Sequence, residues 1–363
     1  MLHILQLCQQ REFLTKQDRL PKVSKSEYKI TEKEEHMADF EIIDAHTHLA
    51  RTPEEERNWW LLPGRRACDR YGAPEKAVEY MKREGISKMV VLTLIPRQDR
   101  GPLVEKAKLA SLPEKQRREQ EKKIGEQVAP KMREMNEWGC ELSKRFPQMV
   151  SFSCISPDLG GAQEIVKEVE LRASQGAKGI KLHPGMFCFF PDDEVMFPAY
   201  EKCQELGLPV LADSATWPTP HVLTVFPSPV ALTVQYDVID YGEPKRWARV
   251  ASTFPRLSIV LAHLGAAWWD ERVELAQKYP NIYFDTSQGF SAPDRIPHSP
   301  HRGLAEADVP RIFRKIGTDR ILFGTDFPAL EPQPQIEQLI RMPLTDEEKR
   351  MILAENAKRV LRL

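Results

Sequence analysis

The chain has 363 residues, with 52 Lys plus Arg against 53 Asp plus Glu, a formal charge of −1. At about 150 residues per domain this allows two or three domains, or one large α/β barrel with additions. The balanced charge lacks the clustered basic excess that nucleic acid or an anionic membrane surface requires, and no run nears the ~18 apolar residues of a membrane span, so neither partner is expected.

The apolar start, Met1 to Cys8, is interrupted too soon by Arg11 to read as a signal peptide. Six cysteines, at 8, 68, 140, 154, 188 and 203, form no C-x-x-C pair, which argues against zinc knuckles and a disulfide framework. These features predict a cytoplasmic protein with reduced thiols.

Residues 1–38 read as a polar N-terminal extension of mixed charge, ending in T-E-K-E-E-H-M-A-D. Met37 stands just before the first strand and offers an alternative start, with the stretch before it either an over-long reading of the gene or a real arm. From 39 to 363 short runs rich in β-branched residues alternate with amphipathic stretches. The runs are FEIIDAH (40–46), KMVVLTLI (88–95), MVSFSCI (149–155), AKGIKLH (177–183), LPVLAD (208–213), LSIVLAH (257–263), NIYFDT (281–286) and RILFGTD (320–326). Their near-continuous apolar character suits a sheet buried on both faces. Helical segments such as Ala162–Ala173, Phe197–Leu206 and Trp269–Lys278 separate them. Eight strands in βα alternation predict a closed (β/α)8 TIM barrel.

One connection, 97–147, is far longer than usual and rich in Lys, Glu, Arg and Gln. It predicts a long helix or helical pair lying on the barrel, with Val128, Met132, Met135, Trp138 and Leu142 as its apolar stripe; a homodimer contact and a cover over the active site are the competing uses. A second long loop, 216–247, carries W-P-T-P and F-P-S-P and follows strand five on the carboxyl-end face, where it would shape a substrate pocket.

His46 and His48, in D-A-H-T-H-L, stand at i and i+2, which on a strand points both imidazoles to one face within reach of a single metal ion. The pair closes strand one, while His183, Asp213, His263 and Asp326 end strands four, five, six and eight. Unpaired polar groups at the end of a closed barrel cost several kcal/mol each, so this convergence calls for a metal or a hydrogen-bond network. The chain has no G-x-G-x-x-G, no Walker loop, no G-x-S-x-G elbow and no H-E-x-x-H, so dinucleotide, nucleotide and serine-hydrolase chemistry fall away.

The segments D-A-H-T-H-L (44–49), G-I-K-L-H-P (179–184), I-V-L-A-H-L-G-A-A-W-W (259–269), N-I-Y-F-D-T-S (281–287), I-L-F-G-T-D-F-P (321–328) and the closing N-A-K-R-V-L-R-L together resemble the amidohydrolase superfamily. The likeness is to its amidohydrolase-related branch, which includes the aminocarboxymuconate-semialdehyde-decarboxylase-like enzymes, and it runs from Phe40 to the C-terminus.

Carried over by position, the resemblance implies that His46, His48 and Asp326 bind one divalent metal, zinc foremost and manganese as the alternative, and that His263 faces the bound water or the substrate. Where the family places a ligand His at the end of strand five, this chain has Asp213. Exchanging one imidazole of three for a carboxylate takes the first-shell charge from +1 to 0, weakens the acidification of bound water and favours harder ions such as manganese. Two other readings stay open: Asp213 as a general acid or base with His183 supplying the missing imidazole, and a degenerate site.

Lys181 shares parity with His183. It invites comparison with relatives carrying a carbamylated strand-four Lys between two metals, against the plainer reading of a Lys pairing with a nearby carboxylate; a single metal is expected. Asp44 and Asp285 also have strand-end character, with Asp44 expected deeper and satisfied by hydrogen bonds. Substrate contacts are expected from His183, Lys181, Trp217, His221, Phe187 and Phe189, with His298 and His301 as weaker candidates; His3 and His36 have no assignable role.

The leading expectation is a metal-dependent hydrolase of a small amide, lactone or ester. Asp326 would move the water's proton to the leaving group, His263 would steady the developing oxyanion, and Asp213 would join them at the centre. The alternatives are a non-oxidative decarboxylase of an aromatic or muconate-type acid, and a catalytically degenerate binding barrel.

Overall fold

The computed structural model describes residues 40–55, 72–214, 241–264, 268–287 and 305–363. All eight expected strands form: β1 (Ile42–Thr47), β2 (Ile86–Leu92), β3 (Met149–Cys154), β4 (Gly179–Leu182), β5 (Val210–Ala212), β6 (Ile259–Leu261), β7 (Ile282–Asp285) and β8 (Ile321–Leu322). They pair in parallel in sequence order from β1 to β8. The first and last strands then meet: Ala45 N–H donates to the Phe323 carbonyl and Asp326 N–H to that of His46, each at 2.9 Å. The result is the (β/α)8 barrel.

Most of these strands end before the expected runs do. The residues trimmed off, His183, Asp213, His263 and Asp326 among them, lie where the backbone leaves the ladder. There the side chains of a barrel are free to serve a site rather than the sheet.

The described helices are α1 (Pro74–Glu84), α2 (Arg97–Ala107), α3 (Glu114–Arg145), α4 (Ala162–Ser174), α5 (Pro184–Phe187), α6 (Phe197–Leu206), α7 (Trp247–Thr253), α8 (Trp269–Lys278), α9 (Val309–Ile316), α10 (Pro332–Arg341), α11 (Asp346–Arg350) and α12 (Asn356–Leu361). Gly85 (φ 70°) ends α1 in the left-handed conformation that turns the chain directly into β2. Among the described residues no helix is long and apolar enough to cross a membrane.

One apolar cluster joins Ile43, Ala45, Val90, Leu92, Val150, Phe152, Leu211, Val260, Ala262 and Leu322 to Ala354, Ala357, Val360 and Leu361 of the C-terminal segment. Gly179 is part of the fit, because a Cβ built there would lie 2.3 Å from the Phe152 ring. Lys181 is in register with Leu211, and Leu211 with Val260. Lys181 thus stands in register with apolar members of this cluster.

The 97–147 connection is the expected helical pair, α2 and α3. Val128, Met132, Met135 and Leu142 are buried, whereas Trp138 is only half-buried. From α2 the buried Arg100 reaches Asp158 Oδ2 at 2.7 Å and the carbonyls of Met186 and Phe187 at 2.9 and 3.0 Å. The insertion therefore braces α5, the short helix that follows β4. The expected extension 1–38, with His3 and His36, and the loop residues Trp217, His221, His298 and His301 lie outside the described residues.

Candidate metal centre

His46 and His48 come together as their spacing predicts, with Nε2 atoms 3.3 Å apart. Asp326 completes a group: its Oδ1 lies 3.7 Å from His46 Nε2 and 3.4 Å from His48 Nε2. All three residues are buried. In β1 the register with β2 shifts between Asp44 and Thr47, an irregularity of the kind that re-aims side chains beside active sites. Asp326 has φ 65°, a left-handed backbone that a non-glycine residue adopts at a cost.

The outer nitrogens decide what this group can hold. His48 Nδ1 lies 2.9 Å from the Leu92 carbonyl, which can only accept, so Nδ1 carries the proton and the Nε2 lone pair is bare. His46 Nδ1 lies 2.8 Å from Asp285 Oδ2. Burial works against the Asp285 carboxylate, but His46 and His263 beside it hold its pKa far below the usual range, so it accepts and His46 Nδ1 donates. Burial likewise keeps both imidazoles below their ordinary pKa, His48 well below.

Two bare lone pairs and a carboxylate oxygen therefore converge within 4.8 Å of one another. Acceptors placed so closely need a cation, and each His has the oriented outer hydrogen bond of a metal ligand. The residues present fit one divalent ion.

Asp213 lies in a different arrangement. Its Oδ2 is 2.8 Å from His263 Nε2 and 3.6 Å from His183 Nε2. Burial alone would raise its pKa, but the two imidazoles hold it well below the carboxylate range. His263 is raised in turn, Asp213 and its neighbouring carboxylates outweighing burial. On its other side His263 Nδ1 is 2.8 Å from Ser287 Oγ, which donates to Asp285 Oδ1 in a short contact. Having spent its one proton on Asp285, the Ser287 oxygen accepts, so both nitrogens of His263 donate.

Strict alternation would turn His263 away from Val260 and Ala262. Its φ of 65° breaks that alternation.

Lys181 is fully buried, and its Nζ lies 3.5 Å from His46 Nε2. Burial lowers its pKa against the pull of Asp213, Asp285 and Asp326. Asp44 sits deeper, as expected: it accepts from His46 N–H at 3.2 Å and Thr325 N–H at 3.0 Å, and burial pushes its carboxyl up to about 7. Phe187 and Phe189 are buried, with the Arg100 guanidinium 5.6 Å above the Phe187 ring.

Sequence reasoning passed over Ser287 and Arg272, and gave Asp285 no role. The first and last stood in view in N-I-Y-F-D-T-S, two residues apart at a strand end; Arg272 lies on a helix with nothing to mark it.

A profile of the amidohydrolase family matches residues 43–363, and the chain belongs to that family. No curated protein matches the chain. Among solved structures it is similar to 5-carboxyvanillate decarboxylase from Sphingomonas paucimobilis, at 14% identity over 89% of this chain and 99% of that one, with a TM-score of 0.59. The 5-carboxyvanillate decarboxylase of Novosphingobium aromaticivorans, solved with manganese and 3-methoxy-4-hydroxy-5-nitrobenzoic acid, gives 14%, 90%, 98% and 0.63. The 2,6-dihydroxybenzoate decarboxylase from Rhizobium gives 16%, 89%, 99% and 0.57. At these identities the likeness shows a shared fold.

Proposed function

We propose that the chain is a divalent-metal-dependent carboxy-lyase that removes carbon dioxide from a small aromatic or muconate-type acid without oxidation. The observation that carries this reading is Lys181. Its amine is buried beside the metal group, and among the described residues its one hydrogen-bond neighbour is His46 Nε2. No carboxylate of the described residues comes within 4.0 Å of it. A buried amine so placed can donate hydrogen bonds to an anionic substrate group, and a carboxylate is the leaving group of this reaction.

His46, His48 and Asp326 would hold the ion, which supplies Lewis-acid polarisation of a substrate oxygen when bound. Lys181 would orient the carboxylate against it. As the carbon–carboxylate bond breaks, the electron pair stays on carbon, carbon dioxide leaves, and one proton is delivered to that carbon; no oxidant is needed. His263, donating through both nitrogens, is the proton-bearing group of the site.

The three similar decarboxylases support the reading over amide, lactone or ester hydrolysis, which shares the same family. Two imidazoles and a carboxylate suit either zinc or manganese. The manganese in the Novosphingobium enzyme puts that ion first for this chain.

The test is to load the protein with manganese or zinc and present hydroxybenzoic and muconate-type acids beside lactones and amides in ¹⁸O-water. Carbon dioxide release, lost with Lys181→Met while bound metal is retained, is the expected result. ¹⁸O entering a carboxyl product instead would make the chain a hydrolase. A metal-loaded protein inert to every compound would favour a binding barrel.

A further inference from the structure

We infer that Asp213 is the positioning partner of His263 rather than a further ligand of the metal centre, and that Arg272 holds the pair in place. The inference rests on the metal-centre part of the proposed function and not on the reaction class.

Ligand atoms within 4.8 Å of one another form two groups that share His46, one with His48 and Asp326 and one with His263 and Asp285; Asp213 is in neither. Its Oδ2 is engaged from the other side. His263 Nε2 donates to it at 2.8 Å. His183 Nδ1 accepts the Met186 N–H at 3.2 Å, which leaves the proton of a neutral His183 on Nε2, the atom 3.6 Å from the same carboxylate oxygen. Turning Asp213 toward the metal group would take from the buried His263 Nε2–H the carboxylate it donates to, and would separate Asp213 from His183.

The backbone around the pair is tied down by one side chain. Arg272, on α8, is fully buried. Its Nη1 donates to Ser214 Oγ at 2.9 Å and to the Ala262 carbonyl at 3.0 Å, and its Nη2 donates to the Ser214 carbonyl at 2.7 Å. Ser214 Oγ in turn donates to the Ala262 carbonyl at 2.7 Å. Ser214 follows Asp213 and Ala262 precedes His263, so the guanidinium fastens the ends of β5 and β6 at the residue next to each partner. A left-handed His263 persists only if its surroundings hold it, and this bracket does so. The position where the family resemblance expects a ligand His has thus changed task, from binding the ion to aiming the imidazole beside it. Three protein ligands would then leave the ion's remaining positions to substrate.

The experiment is a Mn²⁺ titration without substrate, paired with ¹⁵N-edited NMR of histidine side chains in the Zn²⁺-loaded protein. The His263 Nε2–H resonance, identified by its loss in His263→Gln, should be downfield and slow to exchange. Asp213→Asn should keep one equivalent of manganese with affinity reduced less than about tenfold, because the carboxylate oxygen is engaged by His263 and not by His46, His48 or Asp326, while moving that resonance upfield. Arg272→Gln should move it in the same direction with the metal retained. Ser214→Ala, which removes a single hydroxyl, is the milder variant should Arg272→Gln fail to fold.

A loss of tenfold or more in Asp213→Asn, or a resonance that ignores both Asp213→Asn and Ser214→Ala, overturns the inference. Since no substrate is present, failure to find carbon dioxide release leaves it standing. A wild-type chain that takes up neither ion overturns it together with the metal centre.

Discussion

The two sides of the barrel mouth are built from the same residue types and behave oppositely. On the β1–β8 side, the outer nitrogens of His46 and His48 are tied to Asp285 and the Leu92 carbonyl, so their inner lone pairs face Asp326 with no proton between them. On the β4–β6 side, His263 donates its Nε2 proton to Asp213 and His183 Nε2 faces the same carboxylate oxygen from 3.6 Å. Residue identity alone does not separate a ligand from a positioning group. Where the far nitrogen's proton goes does separate them, and that is settled by carbonyls and carboxylates on neighbouring strands.

The sharpest way to break this contrast is to delete imidazoles on each side. His46→Ala/His48→Ala should abolish stoichiometric metal in elemental mass spectrometry, whereas His263→Ala should retain about one equivalent. Equal losses on both sides would merge the two clusters into one centre. Next in size is Asp285→Asn. The amide can present N–H to His46 Nδ1, which reverses the tautomer and turns the Nε2 proton toward the ion; a 10–100-fold weaker manganese isotherm is expected, the usual cost of losing such an outer partner.

Arg272→Gln tests the other side through stability. It removes the fork that satisfies two backbone carbonyls and Ser214 Oγ, so a loss of about 3 kcal/mol is expected in denaturant unfolding of the metal-free protein. A larger loss with metal bound than without would mean that the bracket serves the ion after all.

The barrel was legible because its signals are local and repeated: eight apolar runs, each with its helix and stop. The meeting of two imidazoles was legible for a related reason, since i and i+2 on a strand places His46 and His48 together whatever the rest of the chain does. Asp213 was different. Its position at the end of β5 is visible, but its task depends on the left-handed backbone of His263, on Ser287 sending its proton to Asp285, and on an arginine from a helix late in the chain. None of these is a pattern of neighbouring residues. Each is a contact between segments far apart in sequence, and only the folded chain brings them together.

The smallest effect sharpens the contrast from below. Gly179 lies two residues before Lys181 and has no room for a side chain against Phe152. Gly179→Ala should cost about 1–3 kcal/mol, the usual penalty for overpacking a filled core. Because the clash is with one ring, Phe152→Leu should recover part of it, so the double variant should be more stable than the sum of the single losses. The β3–β4 wall carries Lys181 and leads to His183, whereas the proposed metal ligands come from the ends of β1 and β8. Displacing that wall should therefore raise KM for a carboxylate substrate and leave the manganese isotherm unchanged. If the isotherm weakened with the KM, the two sides of the mouth would be mechanically one, and the division between a metal-holding half and a substrate-aiming half would have to be abandoned.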